Sequence, residues 1–180
     1  ERVTGMASQA QVGSNNLLYL PHLCGERAPF RDANARGVFF GLSMNTTRAD
    51  MYRAVLEGVA FAMRSIREVM YPGGETLELN LVGGGAKSQL WPQIFADMFA
   101  CRVNVLADPA NVGARGAALL AAVANGWYAD FAPRDFFPVA RVYEPVPQAV
   151  ERYERLYPVF RSLYPALKES FSVLSEALPR

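Results

Sequence analysis
The sequence predicts an α/β domain, because short apolar runs of strand type alternate with longer stretches of helical periodicity along its 180 residues. The most informative stretch is residues 77–91, LELNLVGGGAKSQLW, where an alternating apolar run meets three glycines and a small-residue turn opens an apolar helix. Composition agrees with one buried core, since 51% of the residues are hydrophobic and only 19% are charged.

Taken in order, residues 1–15 are polar and small and read as a loop or frayed segment. Residues 1–16 are therefore set apart as the remnant of an upstream chain, and residues 17–180 as the domain. Residues 17–23 read as a short strand carrying Pro21, and residues 25–36, GERAPFRDANAR, as a loop by their proline, glycine and charge content. Residues 37–42, GVFFGL, read as a buried strand. Thr47 with Asp50 three residues on has the form of a capping box, and it opens a long helix over 48–70. Met51, Val55, Val59, Ala62, Ile66 and Val69 recur at three- and four-residue steps and predict its core face, and Pro72, Gly73 and Gly74 stop it.

After the glycines, residues 89–99 read as a second helix and 102–106 as a strand. Residues 112–125 read as an alanine-rich third helix, closed by Gly126. A glycine inside a helix costs about 1 kcal/mol relative to alanine, so Gly113 and Gly116 imply close packing or close ligand approach. Proline-rich residues 132–147 read as a connector. Residues 147–178 read as an amphipathic helical region in which Tyr153, Leu156, Tyr157, Phe160, Leu163 and Tyr164 form a core stripe. Pro158 and Pro165 are expected to break or kink it.

Charge and composition exclude several classes. A net charge of +1 gives no electrostatic case for nucleic acid. No apolar run approaches the roughly 20 residues a membrane span needs, and no secretory pattern precedes Gly5. The start at Glu1 rather than Met reads as a chain cut from something longer. Cys24 and Cys101 are not spaced as a metal or redox pair and read as free, buried thiols of a cytoplasmic protein. His22, the sole histidine, rules out multi-histidine metal sites and, set in LYLPHL, reads as structural. No metal ligand is assigned.

The glycines carry the chemistry. Without a Cβ, Gly83, Gly84 and Gly85 can take positive φ and let a flat or charged ligand reach the main chain. Ala86, Lys87 and Ser88 then begin a helix whose unpaired N–H groups face the same space. A nucleotide site and a ligand-free tight turn both satisfy this pattern. A dinucleotide fold is a rival, with Asp108 about 20 residues on as its ribose acid, but the third glycine of its fingerprint is Ser88 here.

Longer motifs narrow the choice. Residues 37–42, GVFFGL, a seven-residue gap, then residues 50–57, DMYRAVLE, resemble the second signature of the FGGY family of carbohydrate kinases. Residues 19–29, YLPHLCGERAP, look like the LPxLxGERxP segment of its xylulokinase branch. Residues 82–88, VGGGAKS, look like its adenosine-binding turn, residues 113–121 like its GAxGAAxLA helix, and residues 153–167 like its terminal tyrosine-rich run. Five segments in family order, from Leu17 to Leu167, are far more specific than three glycines alone.

The resemblance implies the C-terminal lobe of a two-domain enzyme with actin-like, ribonuclease-H-like halves that close over ATP and a sugar. It implies that Gly84, Gly85, Ala86 and Lys87, with Gly83 ahead of them, line an adenosine pocket by backbone contact. Ser88 and Gln89 would lie near the adenine or ribose edge, and Gly113 would approach from the neighbouring helix. The expected partners are ATP with Mg2+, a ketopentose, and an N-terminal domain that holds most of the sugar pocket; the resemblance puts the phosphate loop upstream of Glu1 and the catalytic aspartate outside the matched region. No catalytic base is therefore assigned in this chain, and a homodimer is compatible with the sequence. Other polyol and sugar kinases, namely glycerol kinase, gluconokinase and ribulokinase, are alternatives, as is a non-enzymatic actin-like lobe. Asn111 and Cys24 depart from the family pattern, which often has an acid and a serine there. Glu26 and Arg27 read as a loop ion pair or as groups reaching the domain cleft, Glu57 as a packing, capping or ligand group, and Lys87 as a solvated rim lysine, since the P-loop pattern is absent.

Overall fold
A computed structural model describes residues 2–73, 78–131 and 136–177. The helix stop at Gly74, the start of the glycine-turn stretch at Leu77, the connector start at Ala132 and the helix end at Leu178 lie outside the described residues.

Among the described residues five α-helices and five β-strands follow one another: α1 (Arg2–Ala7), β1 (Leu18–Leu20), β2 (Val38–Phe40), α2 (Arg48–Met70), β3 (Leu79–Leu81), α3 (Leu90–Phe99), β4 (Val103–Leu106), α4 (Val112–Ala124), β5 (Val139–Tyr143) and α5 (Pro147–Ala177). The first two strands form an antiparallel ribbon. The other three form one sheet in the order β3-β4-β5, with β3 parallel and β5 antiparallel to β4. The parallel pair needs a crossover, which α3 supplies. The core gathers Phe61 of α2, Ile94, Phe95 and Met98 of α3, Val103 of β4, and Tyr153, Leu156, Tyr157 and Phe160 of α5.

The long helix forms where the capping box places it. Thr47 Oγ1 accepts the Asp50 N–H (3.2 Å) while the Asp50 carboxylate accepts the Thr47 N–H (2.8 Å). Its buried face is rotated from the apolar stripe, however. Arg53, Ala54, Glu57, Gly58, Ala60 and Phe61 are buried, whereas Met51, Val55, Val59, Ala62 and Ile66 are half-buried and Val69 is exposed. Periodicity that counts only apolar residues overlooks Arg53 and Glu57, which neutralise each other inside (2.7 Å). At Gly58 the helix touches the β1 backbone so closely that a Cβ would lie 2.2 Å from the Tyr19 carbonyl oxygen.

Several expectations are corrected. Residues 1–15 are not a loop throughout, since α1 is helical and Ala7 is fully buried against the rest of the domain. A helix this short draws its stability from packing, which composition does not reveal. GVFFGL is not a buried strand, because β2 lies in a two-stranded ribbon with Phe40 and Leu42 exposed. The supposed connector contains β5, whose VARVY alternation is hidden among prolines. The final helix neither breaks at Pro158 nor at Pro165 but runs through both. Cys24 is exposed, while Cys101 is buried, and burial raises its thiol pKa. A Cβ added at Gly113 or Gly116 would meet nothing within 4 Å among the described residues, so neither glycine marks a close helix contact.

His22 does prove structural: it is 4% exposed, its Nδ1 lies 2.9 Å from Glu26, and its ring meets Phe30 and Tyr164 edge-on. Glu26 thus pairs with His22 rather than forming an ion pair with Arg27, whose backbone N–H it accepts instead (2.8 Å).

Candidate functional site
The carboxyl ends of the parallel strands β3 and β4 lie side by side, the position at which open α/β sheets present ligand sites. The glycine run follows β3, and α4 begins shortly after β4. The Gly83 N–H donates to the Pro109 carbonyl at 2.6 Å, which ties the run to the loop leading into α4. Gly83 and Gly113 are thereby brought to the same edge of the sheet.

Local geometry differs from the simplest expectation. Of the three glycines only Gly83 has a positive φ, 83°. Gly84–Lys87 form one turn of 3-10 helix, and the α-helix starts at Leu90. Gly85 is required for a different reason. A Cβ there would lie 2.6 Å from the Trp91 ring, whose Nε1 donates to the Leu56 carbonyl (3.2 Å). Trp91 is thus wedged between the turn and α2. At Gly83 and Gly84, by contrast, a Cβ would meet nothing within 4 Å, so the space over the backbone is open.

Each expected site residue has a definite place. Gly84, Lys87, Gln89 and Gly113 are exposed, and Gly83, Gly85 and Ser88 are half-buried. Ala86 is fully buried, and its carbonyl accepts a 2.6 Å hydrogen bond from Arg141 Nη2. Ser88 Oγ accepts the N–H groups of Leu90 (3.2 Å) and Trp91 (3.1 Å), so it caps α3 from within the site. The N–H groups of Gly84 and Gly85 have no acceptor among the described residues. Two free main-chain donors beside an open, Cβ-free surface suit the acceptor atoms of a nucleotide.

Two further side chains brace this edge and were not anticipated. Arg141 belongs to β5, hidden within the expected connector, and no sequence signal linked it to the glycines. Trp91 was visible as an apolar helix residue, but its seat under Gly85 follows only from tertiary packing. Beneath the helix, Asp97 accepts from Gln93 Nε2 and the Val146 N–H, both at 2.8 Å, joining α3 to the approach of α5. Burial raises the Asp97 carboxyl pKa, and those two hydrogen bonds oppose the shift.

Lys87 is the sole ionisable side chain in residues 83–89. Among the described residues no three His, Cys, Asp or Glu side chains converge as a metal-holding group. Likewise, among the described residues no helix is long and apolar enough to cross a membrane.

Residues 3–125 match the FGGY family of carbohydrate kinases, C-terminal domain. A xylulose kinase of Staphylococcus epidermidis is 37% identical over 163 residues, which cover 89% of this chain and 33% of that protein. The structure of gluconate kinase from Lactobacillus acidophilus aligns with a TM-score of 0.88 at 32% identity, covering 96% of this chain and 35% of that one. Ligand-bound xylulose kinase from the same organism aligns with a TM-score of 0.86 at 32% identity, covering 96% and 36%. The chain spans about a third of the length of these relatives. With residues 3–125, more than half of the chain, matched by the family's C-terminal domain and with structural neighbours of the actin-like ATPase fold, the chain belongs to the FGGY family of carbohydrate kinases.

Proposed function
We propose that residues 83–89 and the start of α4 form the adenosine half of an ATP-dependent sugar kinase site. The observation that carries this reading is the open backbone at Gly83 and Gly84, with the free N–H groups of Gly84 and Gly85, at the carboxyl edge of the parallel strands. In the whole protein the reaction is transfer of the γ-phosphoryl group of ATP to a ketopentose, D-xylulose giving D-xylulose 5-phosphate, in the cytoplasm. The likeness to xylulose kinase supports that substrate. Gluconate is the second reading, favoured by the equal structural likeness to gluconate kinase.

ATP, when bound, supplies the phosphoryl group and the leaving diphosphate. This chain's part is to seat the nucleoside: Gly83 and Gly84 let it approach, and the Gly84 and Gly85 amides donate to it. Trp91 and Ser88 hold the turn and the start of α3 in place. Phosphoryl transfer is governed mainly by positioning and electrostatic stabilisation, so a fixed adenosine seat contributes to rate by setting where the phosphates lie. The base for the sugar hydroxyl and the phosphate loop are assigned to parts of the whole protein outside residues 1–180.

The test is a coupled ADP-release assay on the complete kinase with D-xylulose and gluconate, each titrated separately. A higher kcat/KM for D-xylulose is expected. Preference for gluconate would move the substrate assignment, and no sugar-dependent ADP release with any sugar would overturn the kinase reading. Residues 1–180 alone should show no sugar-dependent turnover and should bind ADP near millimolar, about −4 kcal/mol.

A further inference from the structure
We propose that Arg141 is a positioning residue for nucleotide binding, holding the glycine turn in its ligand-ready shape from the far side of the sheet. The proposal rests on the adenosine reading of that turn. Arg141 pairs with Val105 across the antiparallel β4–β5 ladder, while the turn follows β3 on the other side of β4. Its guanidinium therefore spans the central strand to reach the Ala86 carbonyl at 2.6 Å.

Arg141 is itself held. Nη1 donates to the Tyr143 hydroxyl at 3.0 Å, and the guanidinium carbon lies 5.8 Å from the Tyr143 ring centroid. A half-buried arginine fixed at both ends of its planar fork loses little freedom when it grips a carbonyl. Ala86 is fully buried, so its carbonyl oxygen would lose its partner if Arg141 were shortened.

The turn needs such a grip. Three glycines precede Ala86, and glycine gives up more backbone freedom on ordering than any other residue. Outside the turn's own hydrogen bonds, the contacts that order it among the described residues include the burial of Ala86, the Gly83–Pro109 hydrogen bond, the Trp91 ring under Gly85 and the Arg141–Ala86 hydrogen bond. Of these, the Arg141 hydrogen bond is the one that reaches the Ala86–Lys87 peptide inside the 3-10 turn, and it braces the turn whose open end carries the Gly84 and Gly85 N–H groups. A turn ordered beforehand spares the nucleotide the entropy cost of ordering it on binding.

The test measures ADP affinity by calorimetry and steady-state kinetics on the complete kinase, comparing the parent with Arg141→Met, Arg141→Lys, Tyr143→Phe and Gly84→Val. Arg141→Met should weaken ADP binding about tenfold and raise KM for ATP by a similar factor. KM for the sugar should stay unchanged, and Arg141→Lys should recover part of the loss. Tyr143→Phe should shift ADP affinity in the same direction by a smaller factor. A purely structural role would instead lower the thermal midpoint and the active fraction, reducing apparent kcat with no change in KM for ATP. Parent-like ADP affinity in a folded Arg141→Met, with Gly84→Val abolishing binding, overturns the positioning role and leaves the site standing. Parent-like affinity in Gly84→Val overturns the site itself. If Arg141→Met does not fold, parent-like ADP affinity in Tyr143→Phe overturns the proposal.

Discussion
The surroundings of Glu57 and the glycine turn use the same material, hydrogen-bonding groups on backbone and side chain, to opposite ends. Glu57 is 2% exposed and accepts from four donors: the Gly13 N–H (3.0 Å), Ser14 Oγ (2.7 Å), Arg53 Nε (2.7 Å) and the Tyr153 hydroxyl (2.8 Å). Arg53 reaches on to the Ala10 carbonyl at 3.1 Å. Burial, reinforced by the Glu57 charge, pushes the Tyr153 hydroxyl well above the usual phenol range, so it serves as a donor throughout. This knot ties the residues before β1 to α2 and α5, and it holds Gly13, Ser14, Asn15 and Asn16 in a run of positive φ. In the glycine turn, donors are left over and the space above the backbone is empty. A region whose donors are all satisfied internally is scaffold, whereas one that keeps ordered donors free is prepared for something outside itself.

The comparison can be broken from the scaffold side first. Glu57→Ala leaves the Arg53 charge buried without its partner and should cost about 3–5 kcal/mol of unfolding free energy, read from urea midpoints with an unchanged m-value. Gly58→Ala places a methyl group 2.2 Å from the Tyr19 carbonyl oxygen. It should cost about 1–3 kcal/mol despite alanine's better helix propensity. A neutral or stabilising result would show that β1 does not rest on α2 as described.

Within the turn, adjacent glycines should behave differently. Gly85→Ala collides with the Trp91 ring and should lower stability, whereas Gly84→Ala meets nothing and should leave it within about 0.5 kcal/mol. Equal thermal shifts in the two variants would remove the distinction between the wedged and the open glycine. At the helix cap, Thr47→Ala should cost about 1 kcal/mol.

A pH experiment sharpens the scaffold beneath the site. The Asp97 carboxyl has a raised pKa in the folded chain because of burial. The folded state therefore holds this proton more tightly than the unfolded state. Stability from this group is greatest below the ordinary carboxylate pKa and declines as pH rises through the interval up to the raised value. Asp97→Asn keeps an acceptor for Gln93 and the Val146 N–H but removes the titration, so that part of the pH slope should vanish. An unchanged slope would show that Asp97 is as well solvated folded as unfolded.

Much of this arrangement was legible in the residues. The Thr47–Asp50 box and the length of α2 follow from local chemistry, and so does the strand–glycine–helix junction. What stayed hidden depends on residues far apart in sequence. Glu57 reads as one acid on an amphipathic helix, and only folding supplies Ser14 and Tyr153 as its donors. β5 was masked by the prolines around it, and with it went Arg141. Pro158 and Pro165 were given the local meaning of helix breakers, but the aromatic face of α5 is buried deeply enough to carry the helix through both. The buried stripe of α2 shifted because a paired arginine and glutamate can occupy core positions that hydrophobic periodicity leaves to apolar side chains.

The central claim, that the open glycine backbone seats adenosine, is met most directly by calorimetric titration of ADP into the complete kinase and its Gly84→Val variant. A saturable heat in the parent and none in a variant with the same thermal midpoint is the predicted result. Equal ADP affinity in both proteins would contradict it and place the nucleotide elsewhere.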